Sequence, residues 1–140
     1  MNELQGASGL KKLLAEIKSV AIVGAKDKSG QPVDAVGRYL IEQGYRVLPV
    51  HPKRNDVWGL PTYPDLGALP EAPDAVVLFR AAEFCPEHAR EALALPVKPR
   101  LFWMQLGISS PEAMRLMREA GVPAVEDACI MVRHKELFGL

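Results

Sequence analysis

The chain has 140 residues, enough for one sizeable core and too few for two. Hydrophobic residues make up 49% of it, and 17 basic side chains balance 17 acidic ones, so the formal net charge is zero. That balance argues against a general nucleic-acid binder, whose surface is ordinarily basic, and no apolar run approaches the roughly 20 residues that span a bilayer.

The opening stretch, MNELQGASGLKKLLAEIKSV, has an early acid and no apolar signal core. It predicts no export signal and a cytoplasmic location. Leu10, Leu13, Leu14 and Ile17 recur at helical spacing and predict a first helix. Ser19 to Gly24, SVAIVG, is a continuous apolar run closed by glycine, as buried parallel strands are. After the polar turn AKDKSGQ, Pro32 suits the first turn of a helix, where its missing N–H costs nothing. Val33, Val36, Gly37, Leu40 and Ile41 mark one face of that helix, and Gly44 stops it.

Tyr45 to Val50 predicts a second strand. From His51 to Pro73 prolines and glycines break regular structure, leaving a short helical turn near Asp65 to Leu69. Ala75 to Phe79 is a third strand. Cys85, Ala89, Ala92 and Leu93 give the face of a third helix, closed by Pro96, and Arg100 to Met104 is a fourth strand. Ser110 is placed to cap a helix starting at Pro111, with Ala113, Leu116, Met117 and Ala120 inward and Gly121 at its end. Val122 to Val125 is a fifth strand, and the tail from Asp127 has room for a last short helix.

Strands alternating with helices predict βαβ units, hence a parallel sheet. The expected fold is α/β, a Rossmann-like doubly wound five-stranded parallel sheet in three α/β/α layers. The expected strand order is 3-2-1-4-5, in a single domain over residues 1–140.

In such sheets ligands bind at the carboxyl ends of the strands. That rule selects Gly24–Gln31, His51–Asp56, Phe79–Glu83 and Met104–Ser110. The first loop, GAKDKSGQP, is not the GxGxxG fingerprint. Its glycine permits close backbone approach, the following helix start supplies free N–H groups, and Lys26, Lys28 and Ser29 add charge and a hydroxyl. Phosphate binding and a plain strand-to-helix turn stand level on spacing alone.

The second loop, PVHPKRN, lacks the acid that NAD binders use to hold the ribose, and Lys53 and Arg54 follow instead. That favours a ribose carrying a phosphate, as in NADP or coenzyme A. The plain alternative is two exposed bases. In the third loop Phe79 and Arg80 pair an aromatic with a cation, suited to adenine or pyrophosphate; alternatively Arg80 pairs with Glu83. In the fourth, Trp103 reads first as core and Gln105 as the polar residue facing the cleft.

His51, His88 and His134 are dispersed, with His88 expected at the surface, and GxSxG, HExxH and P-loop motifs are absent. No catalytic set emerges. Cys85 and Cys129 form no CxxC, so a metal site is not expected, and reduced thiols are. Asp127 and Cys129 follow the last strand; Cys129 reads as an ordinary cysteine before a reactive one.

Taken together, AIVGAKDKSGQPVDAVGRYLIEQGYRVLPVHPK, VWGLPTYPDL, DAVVLFR, LFWMQLGI and GVPAVEDAC resemble the small stand-alone CoA-binding protein family. These are relatives of the CoA-binding domain of succinyl-CoA synthetase α subunits. The resemblance covers nearly the whole chain and rests on five blocks in order, none specific alone. It implies that Gly24, Ala25, Lys26 and Ser29 hold the CoA phosphates; Val33 is a further expected cofactor-binding residue. It implies that His51, Pro52 and Lys53 lie at the adenosine end and that Phe79 and Arg80 line the cleft. Trp103 and Gln105 are then near the pantetheine path. His51 departs from the asparagine common in the family.

The phosphohistidine and grasp domains of the synthetases are absent, so ligase activity does not carry over. The expected function is binding of coenzyme A or an acyl-CoA by a non-catalytic carrier, sensor or partner subunit. The rivals are an NADP-dependent reductase fragment, an acyl-transfer enzyme using Cys129 or His134, and a redox protein forming a mixed disulfide with CoA. No nucleic-acid or membrane partner is expected.

Overall fold

A computed structural model describes residues 7–140; residues 1–6, part of the stretch read above for an export signal, lie outside them. In chain order the elements are α1 (Ala7–Glu16), β1 (Ser19–Val23), α2 (Pro32–Glu42), β2 (Arg46–Val50), β3 (Ala75–Leu78), α3 (Cys85–Leu93), β4 (Leu101–Met104), α4 (Pro111–Ala120), β5 (Ala124–Val125) and α5 (Ile130–Phe138). All strand pairs are parallel. The α/β, Rossmann-like class expected from the sequence is the one observed. A short 3₁₀ turn, Leu66–Ala68, falls within the irregular stretch, capped by the Asp65 side chain.

Two apolar layers sandwich the sheet. On one face α1, α2 and α5 bury Leu10, Leu14, Val36, Leu40 and Ile130 against Val20, Ile22, Val77 and Trp103. On the other, α3 and α4 bury Cys85, Ala89, Ala113 and Met117 against Val76, Leu78, Phe102 and Met104. Alternate residues of each strand feed opposite layers, so β1, β3 and β4 are wholly buried and, but for Ser19 at the start of β1, apolar. Ser110 caps α4 through the Ala113 N–H, and Gly121 closes it in the left-handed region, both as the sequence predicts.

One feature of the topology differs from expectation. The observed order is β2-β1-β3-β4-β5. The sheet is doubly wound with its switch beside β1, but the strand across the switch is β3, not β4, and β2 forms the edge. Pro49 supplies the reason. Its carbonyl accepts the Tyr63 N–H from outside the sheet, so its missing N–H faces outward too. A strand with proline on that side cannot sustain a full second ladder. Among the described residues, a single bridge between Val50 and Tyr63 pairs with this edge. β3, apolar on both faces and with each of its four residues fully buried, belongs in the middle.

Candidate functional site

The carboxyl ends of β1, β2 and β3 are drawn together by backbone hydrogen bonds. The N–H groups of Gly24 and Ala25 both reach the Val50 carbonyl, at 2.9 and 3.2 Å, and the Phe79 N–H reaches the Val23 carbonyl at 2.9 Å. Gly24 has φ +87°, and a Cβ on it would lie 2.5 Å from the Phe79 carbonyl oxygen. Only glycine satisfies both conditions. The chain then runs through Lys26 and Ser29 to Gln31, which precedes α2 without a side-chain cap. With proline at the first position of α2, its open N-terminus presents partial positive charge.

A cleft of about 340 Å³ opens here, lined by Gly24, Lys26, Gln31, Pro32, Val33, Phe79, Gln105, Leu106, Ile108 and Cys129. Of the residues expected at the site, Gly24, Lys26, Val33, Phe79 and Gln105 therefore share one wall system. Gln105 is 3% exposed. Its Oε1 accepts the Ile130 N–H at 2.9 Å and so caps α5. Among the described residues no fully enclosed side-chain nitrogen or oxygen lacks a partner. The amide nitrogen, which takes no protein partner, therefore faces the cleft.

His51, Pro52 and Lys53 stand beyond the cleft, at the end of β2. The His51 Nδ1 accepts the Lys53 backbone N–H at 3.0 Å, so its neutral ring carries the proton on Nε2. Burial pushes the His51 pKa below its usual value, and the nearby charges of Arg54, Lys26, Arg80 and Lys53 push it further the same way. These four cations stand on the loops after β1, β2 and β3, whose strands lie side by side in the sheet. Arg80 does not pair with Glu83: its Nε meets His88 Nε2 at 3.3 Å, and its guanidinium lies 4.4 Å over the Phe84 ring. His88, expected at the surface, is half-buried between Arg80 and Glu91.

Ala25 and Trp103 are completely buried. Ala25 has no polar side chain to offer a ligand, and its N–H is already taken by the Val50 carbonyl. Trp103 lies one layer back from the cleft, packed under the sheet, with its Nε1–H donating to the Ala128 carbonyl at 2.8 Å. It therefore supports the approach to α5 and is not itself a cleft wall. Ser29 is exposed on the glycine loop.

Gln31, Leu106 and Ile108 fall within the loops selected from the sequence without being named as site residues, while the sequence sets Cys129 after the last strand and marks Pro32 only as a helix start. Proximity to the strand ends was the available signal for them. A larger hollow of about 650 Å³ opens at the opposite edge of the sheet, beside Tyr45 and His134. It lies among strand amino ends and the end of α2, where dipoles disfavour anions, so the smaller cleft is the better phosphate site.

Cations thus stand at one end of the site and a largely apolar wall at the other. The CoA binding domain family model matches residues 18–135. The chain belongs to the CoA-binding domain family. This CoA-binding domain is 40% identical to a Thermus thermophilus protein of solved structure, with a TM-score of 0.89 over 96% of this chain and 100% of that one. It is 30% identical to a Pyrococcus horikoshii protein, with a TM-score of 0.92 over 98% of this chain and 95% of that one. It also shares 30% identity over 125 residues with the uncharacterized protein YneT of Bacillus subtilis (strain 168), 89% of this chain and 91% of that protein. In this CoA-binding domain no helix among the described residues is long and apolar enough to cross a membrane, and no group of metal-ligating side chains forms among them.

Proposed function

We propose that the chain recognises coenzyme A or an acyl-CoA at the carboxyl edge of its sheet, as a carrier, sensor or partner subunit without catalysis of its own. The observation that carries this reading is the placement of Lys26, Lys53, Arg54 and Arg80 on the adjacent loops after β1, β2 and β3, beside the open N-terminus of α2. In this reading the pyrophosphate lies on the Gly24 loop and the α2 N–H groups. Lys53 and Arg54 meet the ribose phosphate. The arm runs past Phe79 and Val33 toward Ile108 and Cys129, with the Gln105 amide nitrogen as a donor on its path. NADP would satisfy the cations equally; the family membership favours CoA.

Titration calorimetry with CoA, dephospho-CoA and NADP tests the reading. CoA should bind more tightly than either. Lys53→Ala with Arg54→Ala should cost roughly 1.5–3 kcal/mol toward CoA, the size of a charged contact, and much less toward dephospho-CoA. Equal affinity for CoA and NADP, or no binding of either, would end the CoA-specific reading.

Cys129 on the cleft wall supports a second reading, a mixed disulfide. There the Cys129 thiolate displaces one CoA thiolate from CoA disulfide, forming Cys129–S–S–CoA. Alkylated Cys129 that leaves CoA binding intact, with no adduct in the unalkylated protein after exposure to CoA disulfide, argues against it.

A further inference from the structure

An acid is out of place in a loop that faces a polyanion, yet Asp27 sits between Lys26 and Lys28 on the glycine loop. Its side chain has a specific partner. The Asp27 Oδ2 accepts the backbone N–H of Trp58 at 3.3 Å. The indole Nε1–H of the same tryptophan donates to Asp34 Oδ1 at 2.9 Å, in the first turn of α2. Asp34 is 7% exposed and also accepts Arg38 Nε at 3.0 Å. One residue therefore ties the glycine loop to the helix start, the two halves of the pyrophosphate cradle.

Trp58 is held in an unusual shape to do so. It has φ +55°, and Asp56, two residues earlier, has φ +52°. Residues with side chains enter this region only where the surroundings over-determine them. Here Val57 is buried and its N–H is taken by Thr62 Oγ1 at 3.0 Å, while the Gly59 and Leu60 N–H groups close back on Asp56 and Val57. The ring lies flat against Gly37, where an added Cβ would come within 2.1 Å of Trp58 Cζ2. Gly37 thus leaves the space that the indole fills. The strained turn continues the same segment that carries His51, Lys53 and Arg54, so it links both anion-binding ends.

We infer that Trp58 is a positioning residue that pre-organises the glycine loop against α2, and that Asp27 serves as its anchor rather than as a ligand contact. The inference rests on the CoA reading above. Loss of the anchor leaves the cradle to be ordered at the moment of binding, which weakens affinity without removing any contact to the ligand.

The decisive comparison is Asp27→Ala against Asp27→Asn, at an exposed position where neither change threatens the fold. Electrostatics alone predicts that both variants bind the CoA polyanion more tightly, since both remove a negative charge. An anchoring role separates them. Asp27→Asn keeps an oxygen for the Trp58 N–H and should bind at least as tightly as wild type. Asp27→Ala should bind more weakly than Asp27→Asn by about fivefold, one ordinary hydrogen bond.

Trp58→Phe, which keeps the backbone N–H for Asp27 but loses the indole donor to Asp34 and the ring atoms against Gly37, should show a similar loss. In ligand-free protein, amide exchange in residues 24–31 should rise in Asp27→Ala and Trp58→Phe and not in Asp27→Asn. Equal affinities for the two Asp27 variants, with unchanged exchange, overturn the inference while wild-type CoA binding stands. Absence of CoA binding by wild type overturns the proposed function itself and the inference with it.

Discussion

Gly24 shows what a single residue contributes. Its positive φ and the Phe79 carbonyl against its α-carbon leave no room for a side chain. Gly24→Ala should cost roughly 1–2 kcal/mol for the left-handed backbone, with more from the clash, and the loop should withdraw from its place beside α2. The expected outcome is a lowered urea midpoint together with a loss of CoA affinity of about tenfold or more, one contact's worth of misplacement. An alanine variant with wild-type stability and affinity would show that the turn relaxes freely and that the glycine is incidental. The glycine itself was legible in the sequence as the close of an apolar run. The carbonyl that forbids a Cβ belongs to another strand, 55 residues further on, and no local pattern announces it.

Helices in this fold are stopped and started by local chemistry, and most of that chemistry is readable in order. Ser110 before Pro111 and Gly121 after Ala120 bound α4 where the sequence places them. The start of α5 obeys a different rule. Cys129 offers it no side-chain cap, and the acceptor for the Ile130 N–H is Gln105, from the loop after β4. That buried bond joins the cleft floor to the last helix. Gln105→Leu should leave a buried donor without a partner and cost about 1–3 kcal/mol. Gln105→Glu retains an acceptor and should cost less. Chemical denaturation measures both, and hydrogen exchange at Ile130 locates the effect at the start of α5. If the leucine variant unfolds at the wild-type midpoint with Ile130 still protected, the cap is not what secures this helix.

At the scale of the molecule, the far end of the sheet carries a titrating core. His134 is 5% exposed, its Nδ1 lies 2.7 Å from the Tyr39 hydroxyl, and its ring stacks on Phe138 with 4.4 Å between centroids. Burial holds its pKa below the ordinary 6.5. The unfolded chain therefore takes up a proton near pH 6.5 that the folded protein refuses. Stability from this group is complete above that pH and falls as the pH drops toward the folded-state pKa, then levels off. His51 is shifted in the same direction, so the two act together. Melting temperature should fall between pH 7 and pH 5, over the range set by the ordinary histidine pKa. His134→Gln, which can still bond Tyr39, should flatten that fall without abolishing it. An unchanged slope in the variant would remove His134 from the account.

Much of this protein is determined by its sequence alone. Apolar runs at β1, β3 and β4, alternating with amphipathic helices, dictate a parallel sheet with helices on both faces, because those runs must be buried on both sides. The positions of the loops at the strand ends follow from that class, and the glycine after β1 and the missing acid after β2 stand in the sequence itself. Strand order required more. The outward face of Pro49 made β2 an edge and brought β3 against β1, and which side of a strand a proline faces depends on its neighbours. Only the tertiary structure set Lys26 and Arg80 beside the loop of His51, Lys53 and Arg54 and joined Trp58 to Asp27 and Asp34. Local sequence specifies the elements through short-range sterics and burial. Charges and hydrogen-bond partners many residues apart meet only when the sheet has put the strand ends side by side.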